Sequence, residues 1–253
     1  MAVAQAERLG YSHSPPQEDG RKPLYHEALI GFDIAKLLVS DVWIGKNVPR
    51  GDGSAVVVIP GFDSKDLDTG ILRFWLRRIG YRGHSSGIPF ANTDPEYYEE
   101  SIEKKVDGLF GKVHLVGHSI GGILARFIAA KMPEKIKSVT TLGSPLHGDP
   151  EEIVDPFVLI AAKMQIPILR DKKRLAQRIE ELAEPLSSKG VRITSIFTRG
   201  DGVVDWHSCV DPDPGTDNYE VPGTHAGLIF NRQVYSHLGQ ILSKPELGVI
   251  TDL

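Results

Sequence analysis

Blocks of apolar residues alternate with polar stretches along this chain, and their spacing separates predicted strands from predicted helices. Short apolar runs have the length of strands, and 55–59 is apolar and β-branched enough to be buried on both faces. Apolar residues three and four positions apart predict helices. The predicted strands lie within 55–59, 81–87, 113–116, 135–142, 191–198 and 218–221, and the helices within 24–39, 69–79, 94–109, 123–128 and 231–242.

One junction between a predicted strand and a predicted helix contains Ser119. The apolar run that ends at Val116 is followed by Gly-His-Ser-Ile-Gly at 117–121 and then directly by the helical pattern. A strand that turns into a helix through G-x-S-x-G is a nucleophile elbow, in which a tight turn exposes the serine hydroxyl at a helix N-terminus. The flanking glycines are needed because a Cβ there would collide with neighbouring backbone. A glycine-rich turn with an ordinary N-capping serine is the alternative interpretation.

Further segments accompany this motif, and together they resemble the α/β-hydrolase fold, in particular its lipase and esterase branch. The resemblance covers about residues 52 to 245. The segments are Pro-Gly-Phe at 60–62, Gly-His-Ser-Ile-Gly-Gly at 117–122, Gly-Ser-Pro-Leu-His-Gly at 143–148, Asp-Gly-Val-Val at 201–204 and Gly-Thr-His at 223–225.

The resemblance implies an α/β fold with a mostly parallel central sheet, helices on both faces and a helical cap insertion. We place the cap at about 149–190, because a connection of about 40 residues exceeds an ordinary loop and has an excess of apolar residues. The polar residues 1–23 predict a flexible N-terminal arm. Residues 24–253 are then one domain, since a chain of 253 residues requires no second one.

The resemblance also implies a catalytic triad in the chain order serine, acid, base. Ser119 is the expected nucleophile. Asp201 is the expected acid because it lies just beyond a predicted strand and before Val203-Val204, in the family's Asp-Gly-x-Val pattern, and Asp205 is the alternative. His225 is the expected base because it lies on the loop between the last strand and the last helix, and His207 is the competing histidine. The acid would accept a hydrogen bond from Nδ1 of the base and fix its tautomer.

Phe62 and Ile120 are the expected donors of an oxyanion hole, through their backbone N–H groups. The Ile120 N–H directly follows the nucleophile, and in this fold the loop after the strand 55–59 supplies the second donor. A plain turn between strand and helix is the alternative role of that loop. His147 precedes the acid in the sequence, so we assign it a structural or pocket-lining role.

Composition narrows the range of partners. The net charge of −4 gives no general attraction to nucleic acid. The single cysteine, Cys209, excludes an intramolecular disulfide and a cysteine-based metal site. No helical His-x-x-x-His pair indicates zinc, so we expect no metal, and the implied chemistry needs no organic cofactor. No apolar run reaches the roughly 18 residues of a transmembrane helix. Residues 1–20 lack the pattern of a secretory signal, which predicts a cytoplasmic protein.

The function implied by the resemblance is that of a serine hydrolase that cleaves carboxylic esters, with a small acyl ester or a lipid as substrate. Serine at position 119 argues against the branches of the fold that attack with a carboxylate, the dehalogenases and epoxide hydrolases. A thioesterase or acyltransferase, a cofactor-free lyase and a non-catalytic ligand-binding module on the same fold stay open as alternatives.

Overall fold

The structure of the protein is a computed structural model, which describes most of the chain between residues 21 and 246. The predicted arm, 1–23, lies outside the described residues except at 21–23, and more than half of the predicted cap, 149–190, lies outside them as well. The described residues are 21–24, 27, 30–62, 64–88, 95–155, 159, 162–163, 171, 173 and 185–246.

Six strands form one sheet in the described part of the chain. They are β1 (Ala55–Ile59), β2 (Arg82–Ser85), β3 (Val113–His118), β4 (Ile136–Leu142), β5 (Arg192–Phe197) and β6 (Thr216–Glu220). Their spatial order is β2-β1-β3-β4-β5-β6, and every neighbouring pair is parallel. The carboxyl ends of all six strands therefore meet at one edge of the sheet, which is where open parallel sheets bind their ligands.

The central strands are buried along their whole length. Every residue of β1 and of β3 is buried, so the prediction of a strand covered on both faces at 55–59 is confirmed. β-Branched residues such as Val56, Val57 and Val58 suit a strand of this kind, because their side chains pack well on a pleated surface.

Helices connect the strands and begin close to where the sequence predicts them. They are α1 (Ile30–Leu38), α2 (Gly70–Ile79), α3 (Pro95–Asp107), α4 (Ile120–Lys131), α5 (Pro150–Ile153) and α6 (Arg232–Leu242). Asn231 is predicted from the sequence to be the N-capping residue of the last helix, and this is confirmed, since its Oδ1 accepts a hydrogen bond of 2.8 Å from the Gln233 N–H. Of the predicted first helix, 24–39, the described part is α1, and before Ile30 only residues 24 and 27 are described.

The helices cover the two faces of the sheet with two separate apolar cores. On one face α1, α2 and α6 pack together, and the rings of Trp75 and Tyr235 lie 4.7 Å apart there. On the other face α3 and α4 cover the sheet with residues such as Ile102 and Ile128. An α/β fold with a parallel sheet and helices on both faces is thereby confirmed, and both cores stabilise the edge at which the strands end.

Two local features, at His84 and at Val154, add to or change what the sequence predicts. The segment 81–87 is predicted to hold a short strand and a loop, with His84 in the loop, but His84 is part of β2, so that placement is wrong. Within the predicted cap, Val154 forms an antiparallel bridge with Val204, beside the loop that follows β5. None of the helices in the described ranges is long and apolar enough to cross a membrane.

Candidate active site

The turn between β3 and α4 holds Ser119 in an unfavourable backbone conformation. Its φ of 54° and ψ of −126° lie outside the ordinary regions, and Asn47 is the only other non-glycine residue with positive φ among the residues described. The Ser119 side chain makes no capping hydrogen bond to α4. An ordinary N-capping serine would use its hydroxyl in that way, so this geometry favours the nucleophile elbow over the alternative.

Two glycines allow the turn to be this tight. A Cβ on Gly117 would collide with the carbonyl group of Gly121, and a Cβ on Gly121 would collide with the carbonyl oxygen of Pro60. In both cases the obstacle is backbone, which cannot move aside as a flexible side chain can. The requirement for glycine at both positions, predicted from the sequence, therefore has a direct steric cause.

Asp201 and His225 meet at the ends of β5 and β6. His225 Nδ1 lies 2.7 Å from Asp201 Oδ2, so an N–H at Nδ1 donates to the carboxylate. The other oxygen, Oδ1, accepts hydrogen bonds from the Val203 and Val204 N–H groups at 2.8 and 2.7 Å. Asp201 is 1% exposed and His225 5%. Both groups are therefore fixed in orientation and shielded from water.

The competing pair, Asp205 and His207, forms a separate contact. Asp205 Oδ1 lies 2.7 Å from His207 Nδ1 and also accepts a hydrogen bond from the His207 N–H. The His207 ring stacks on Trp206 at 3.7 Å and is partly exposed. The structure therefore brings Asp201, and not Asp205, to His225.

The surroundings of His225 favour its protonated form. Burial alone would lower the pKa of His225, but the charge of Asp201 and the hydrogen bond to it outweigh burial and raise the pKa above its usual value. A histidine of this kind is a strong proton acceptor, because the imidazolium that forms is stabilised in place. These are the properties of a general base that is paired with a buried carboxylate.

His118, to which the sequence reading gives no role, contacts the candidate base. Its Nε2 lies 2.9 Å from the backbone carbonyl oxygen of His225, which can only accept, so the proton is on Nε2. The two rings lie 4.9 Å apart. Burial, aided by the neighbouring His225, lowers the pKa of His118 to about 4, so the ring is neutral near pH 7. Its place directly before Ser119 in the motif is the sequence signal for this contact.

The turn at 60–62, which contains one of the two predicted oxyanion donors, lies against the elbow that contains the other. A Cβ built on Gly61 would be 3.2 Å from Ser119 Cβ and 2.8 Å from His118 Nδ1, so the turn at 60–62 packs directly against the elbow. Phe62 follows in that turn, and Ile120 is the first residue of α4. The N–H of Ile120 belongs to the first turn of a helix, where it has no intrahelical acceptor.

The hydroxyl of Ser119 makes no hydrogen bond with any other residue that the structure describes, His225 included. Hydrogen bonds between nucleophile and base are often long without substrate and tighten when it binds. His225 and Ser119 are nevertheless linked through His118, which adjoins the serine in the chain and contacts the histidine. The site thus consists of a formed acid–base pair beside a strained serine.

His147 and Cys209 are potentially reactive side chains, but their surroundings differ from those of the candidate triad. His147 is exposed, and its Nε2 lies 3.1 Å from the carbonyl oxygen of Val210. Cys209 is fully buried, and burial raises the pKa of its thiol well above the usual value, so it carries no thiolate near pH 7. Within the described ranges, no group of three histidine, cysteine, aspartate or glutamate side chains is placed to hold a metal ion.

Comparison with known proteins gives a family match around the nucleophile. A family model described as the alpha/beta hydrolase fold matches residues 108–167, which include Ser119. Triacylglycerol lipases of Pseudarthrobacter phenanthrenivorans and Burkholderia plantarii are each 51% identical to this chain over 106 residues. These alignments cover 37% of this chain, and the chain spans only 33% and 30%, respectively, of the length of these two relatives.

Solved structures share the architecture over a larger part of the chain. The crystal structure of the Bacillus licheniformis lipase BlEst2 is similar with a TM-score of 0.58, over 77% of this chain and 94% of that chain, at 15% sequence identity. At this identity the likeness concerns the fold. This chain has the α/β-hydrolase fold, and its expected resemblance to lipases and esterases of that fold is confirmed.

Proposed function

We propose that this chain, as a lipase/esterase-like α/β hydrolase, cleaves carboxylic esters through an acyl-enzyme on Ser119. The observation that carries the proposal is the 2.7 Å contact between His225 Nδ1 and Asp201 Oδ2, beside a serine held at positive φ. An N-capping role would give the serine a hydrogen bond to α4, and a ligand-binding module would need neither the buried acid–base pair nor the strained turn.

In the first half of the reaction, His225 Nε2 removes the proton from Ser119 Oγ as the oxygen attacks the acyl carbon. The Asp201 carboxylate stabilises the imidazolium and keeps the tautomer with Nε2 free to accept. The carbonyl oxygen becomes an oxyanion, to which the Phe62 and Ile120 N–H groups donate. When the tetrahedral intermediate collapses, His225 gives the proton to the leaving alcohol, and the acyl-enzyme remains.

In the second half, a water molecule attacks the acyl-enzyme. His225 accepts a proton from the water, and the same backbone N–H groups stabilise the second oxyanion. Collapse releases the carboxylic acid and returns the proton to Ser119. The proton from Ser119 goes to the leaving alcohol, and a proton from water restores the Ser119 hydroxyl, so the cycle consumes only ester and water and needs no cofactor or metal.

The substrate class that fits best is an acyl ester of lipid type. The support is the similarity to proteins named triacylglycerol lipases and to a lipase structure. A thioester or an acyl transfer to another alcohol would use the same acyl-enzyme, so these reactions are the second candidate on the same site. A series of p-nitrophenyl esters of increasing chain length, with an acyl thioester in parallel, distinguishes the two classes.

The experiment that tests the proposal compares wild-type protein with Ser119→Ala on p-nitrophenyl butyrate. We expect the variant to stay folded and its kcat to fall by about 10⁴-fold or more, because the covalent route is lost. Equal rates for the two proteins would refute an acyl-enzyme on Ser119.

A further inference from the structure

The carboxylate of Glu27 connects the loop that carries Asp201 with the loop that carries His225. Glu27 Oε1 accepts hydrogen bonds from the Gly202 N–H at 3.0 Å and from the His225 N–H at 3.1 Å. Glu27 Oε2 accepts one from the Ala226 N–H at 2.8 Å. A single side chain from the N-terminal part of the chain thus binds a residue adjoining the candidate acid and the candidate base itself.

Lys22, which precedes Glu27 in the chain, and α1, which follows it, contact the same two loops. The Lys22 N–H donates to the Asp201 carbonyl oxygen at 2.6 Å. Gly202 lies so close to this segment that a Cβ there would be 3.0 Å from the Lys22 carbonyl oxygen. Further on, α1 packs on the helical turn Ala226–Phe230 that follows His225. The Glu27 contacts are therefore part of a larger interface and not an isolated surface interaction.

We propose that Glu27 is a positioning residue, whose carboxylate holds the acid and base loops at the separation that the His225–Asp201 contact requires. The inference rests on the proposed function, since it assigns Glu27 a role in the same reaction. Carboxylate oxygens accept several hydrogen bonds, and charge-assisted bonds to backbone N–H groups are about twice as strong as neutral ones. A displacement of about 1 Å in a catalytic group can cost about 10² in rate.

Besides positioning His225, Glu27 affects the pKa of His225 through its negative charge. The titratable groups facing His225 are Asp201 after β5, His118 at the end of β3 and Glu27 in the N-terminal segment, and Asp33 of α1 approaches Gly227 of the same turn. Burial lowers the pKa of His225, and Asp201 and Glu27 both raise it. Removing the Glu27 charge therefore moves the pKa of His225 downward.

The test compares Glu27→Gln with wild type in a steady-state ester hydrolysis assay across pH. The glutamine oxygen can replace Oε1, but the amide NH₂ faces the Ala226 N–H and the charge is lost. We expect kcat to fall by about 10- to 100-fold, with KM changed less than about threefold. The acid limb of kcat/KM should move to lower pH, because a base with a lower pKa stays neutral further into acid.

Two further variants make the test specific. Glu27→Asp keeps the charge on a shorter side chain, so it should restore the position of the acid limb but not the full kcat. Glu220→Gln removes an exposed carboxylate on β6 that pairs with Arg199, and it should leave both kcat and the acid limb unchanged. Folded fraction is measured for each protein by circular dichroism and thermal melting.

The inference is overturned if Glu27→Gln has the kcat and the pH profile of wild type. It is also overturned if kcat falls only in proportion to the folded fraction while the acid limb stays in place, because that describes a purely structural side chain. Failure of the proposed function gives a different result, namely wild-type hydrolysis that Ser119→Ala does not reduce, whatever Glu27→Gln does.

Discussion

The elbow around Ser119 and the two loops that carry Asp201 and His225 lie at the same edge of the sheet, but they are held in place by different means. The elbow is fixed by close backbone packing, since Gly117 leaves room for the carbonyl group of Gly121, and Gly121 leaves room for the carbonyl oxygen of Pro60. The loops are fixed by contacts that are distant in sequence, from His118 and from Glu27. Replacement of either elbow glycine should therefore damage the fold, and replacement of a side chain that holds the loops should mainly damage catalysis.

Of the variants that test this difference between the elbow and the loops, those in the loops should show the largest fall in kcat. Asp201→Asn keeps the shape of the acid but removes the charge that fixes the His225 tautomer, so kcat should fall by about 10³–10⁴-fold with little change in the free energy of unfolding. Asp205→Asn is the matched control and should change kcat by less than about threefold. Similar losses in the two variants, measured by steady-state kinetics, would contradict the pairing of Asp201 with His225.

The elbow should respond in stability and not only in rate. Gly121→Ala forces a Cβ against the Pro60 carbonyl oxygen, so the free energy of unfolding should fall by about 3 kcal/mol or the protein should not fold. Gly31→Ala is the control in α1, where a Cβ meets nothing within 4 Å, and it should be neutral or slightly stabilising. Urea denaturation measures both variants, and a Gly121→Ala protein as stable as wild type would show that the elbow has more room than described.

His118 connects the two regions, so its replacement should give an intermediate result. His118→Phe keeps a ring but leaves the buried His225 carbonyl oxygen without its donor. The loss of one such hydrogen bond costs about 1–3 kcal/mol, so kcat should fall by about tenfold if part of that cost displaces His225. His118→Gln, which keeps a donor, should recover part of the activity. Unchanged kcat in His118→Phe would show that the base is fixed without this contact.

The smallest effect concerns pH in the unmodified protein. Because Asp201 raises the pKa of His225, the activity should rise with pH along a limb that lies above the usual histidine range. The contribution of His225 to the stability of the fold changes in the opposite direction, since it decreases as the pH rises. A folded-state pKa above the unfolded one stabilises the fold below the unfolded pKa, and that contribution is lost as the pH rises through the folded pKa. A pH profile of kcat/KM with its acid limb below the usual range would contradict the described surroundings of His225.

The features that could be predicted from the sequence are those with a local cause. The strand at 55–59 and the glycines beside Ser119 each have a local sequence pattern that predicts them, although the Pro60 backbone that Gly121 accommodates is distant in the chain. The sequence favours Asp201 over Asp205 by its place after the turn that follows a predicted strand and by the Asp-Gly-x-Val pattern, and the contact with His225 in the structure supports this choice.

The features that could not be predicted depend on chain segments that meet only in the folded protein. Glu27 is separated from His225 by most of the sequence, and no spacing or composition near either residue reports their hydrogen bond. His84, in Gly-His-Ser-Ser-Gly, is predicted to lie in a loop, yet its pairing with Val57 of β1 makes it part of β2. In that position tertiary pairing outweighs local propensity.

A nucleophilic role for Ser119 is tested most directly by mass spectrometry after treatment with a fluorophosphonate, which reacts covalently only with an activated nucleophile. We expect one adduct per chain, on the peptide that contains Ser119, and labelling that is at least about 10²-fold slower in His225→Ala. An adduct on another residue, no adduct at all, or equal labelling rates with and without the His225 imidazole would contradict a nucleophile at Ser119 that His225 activates.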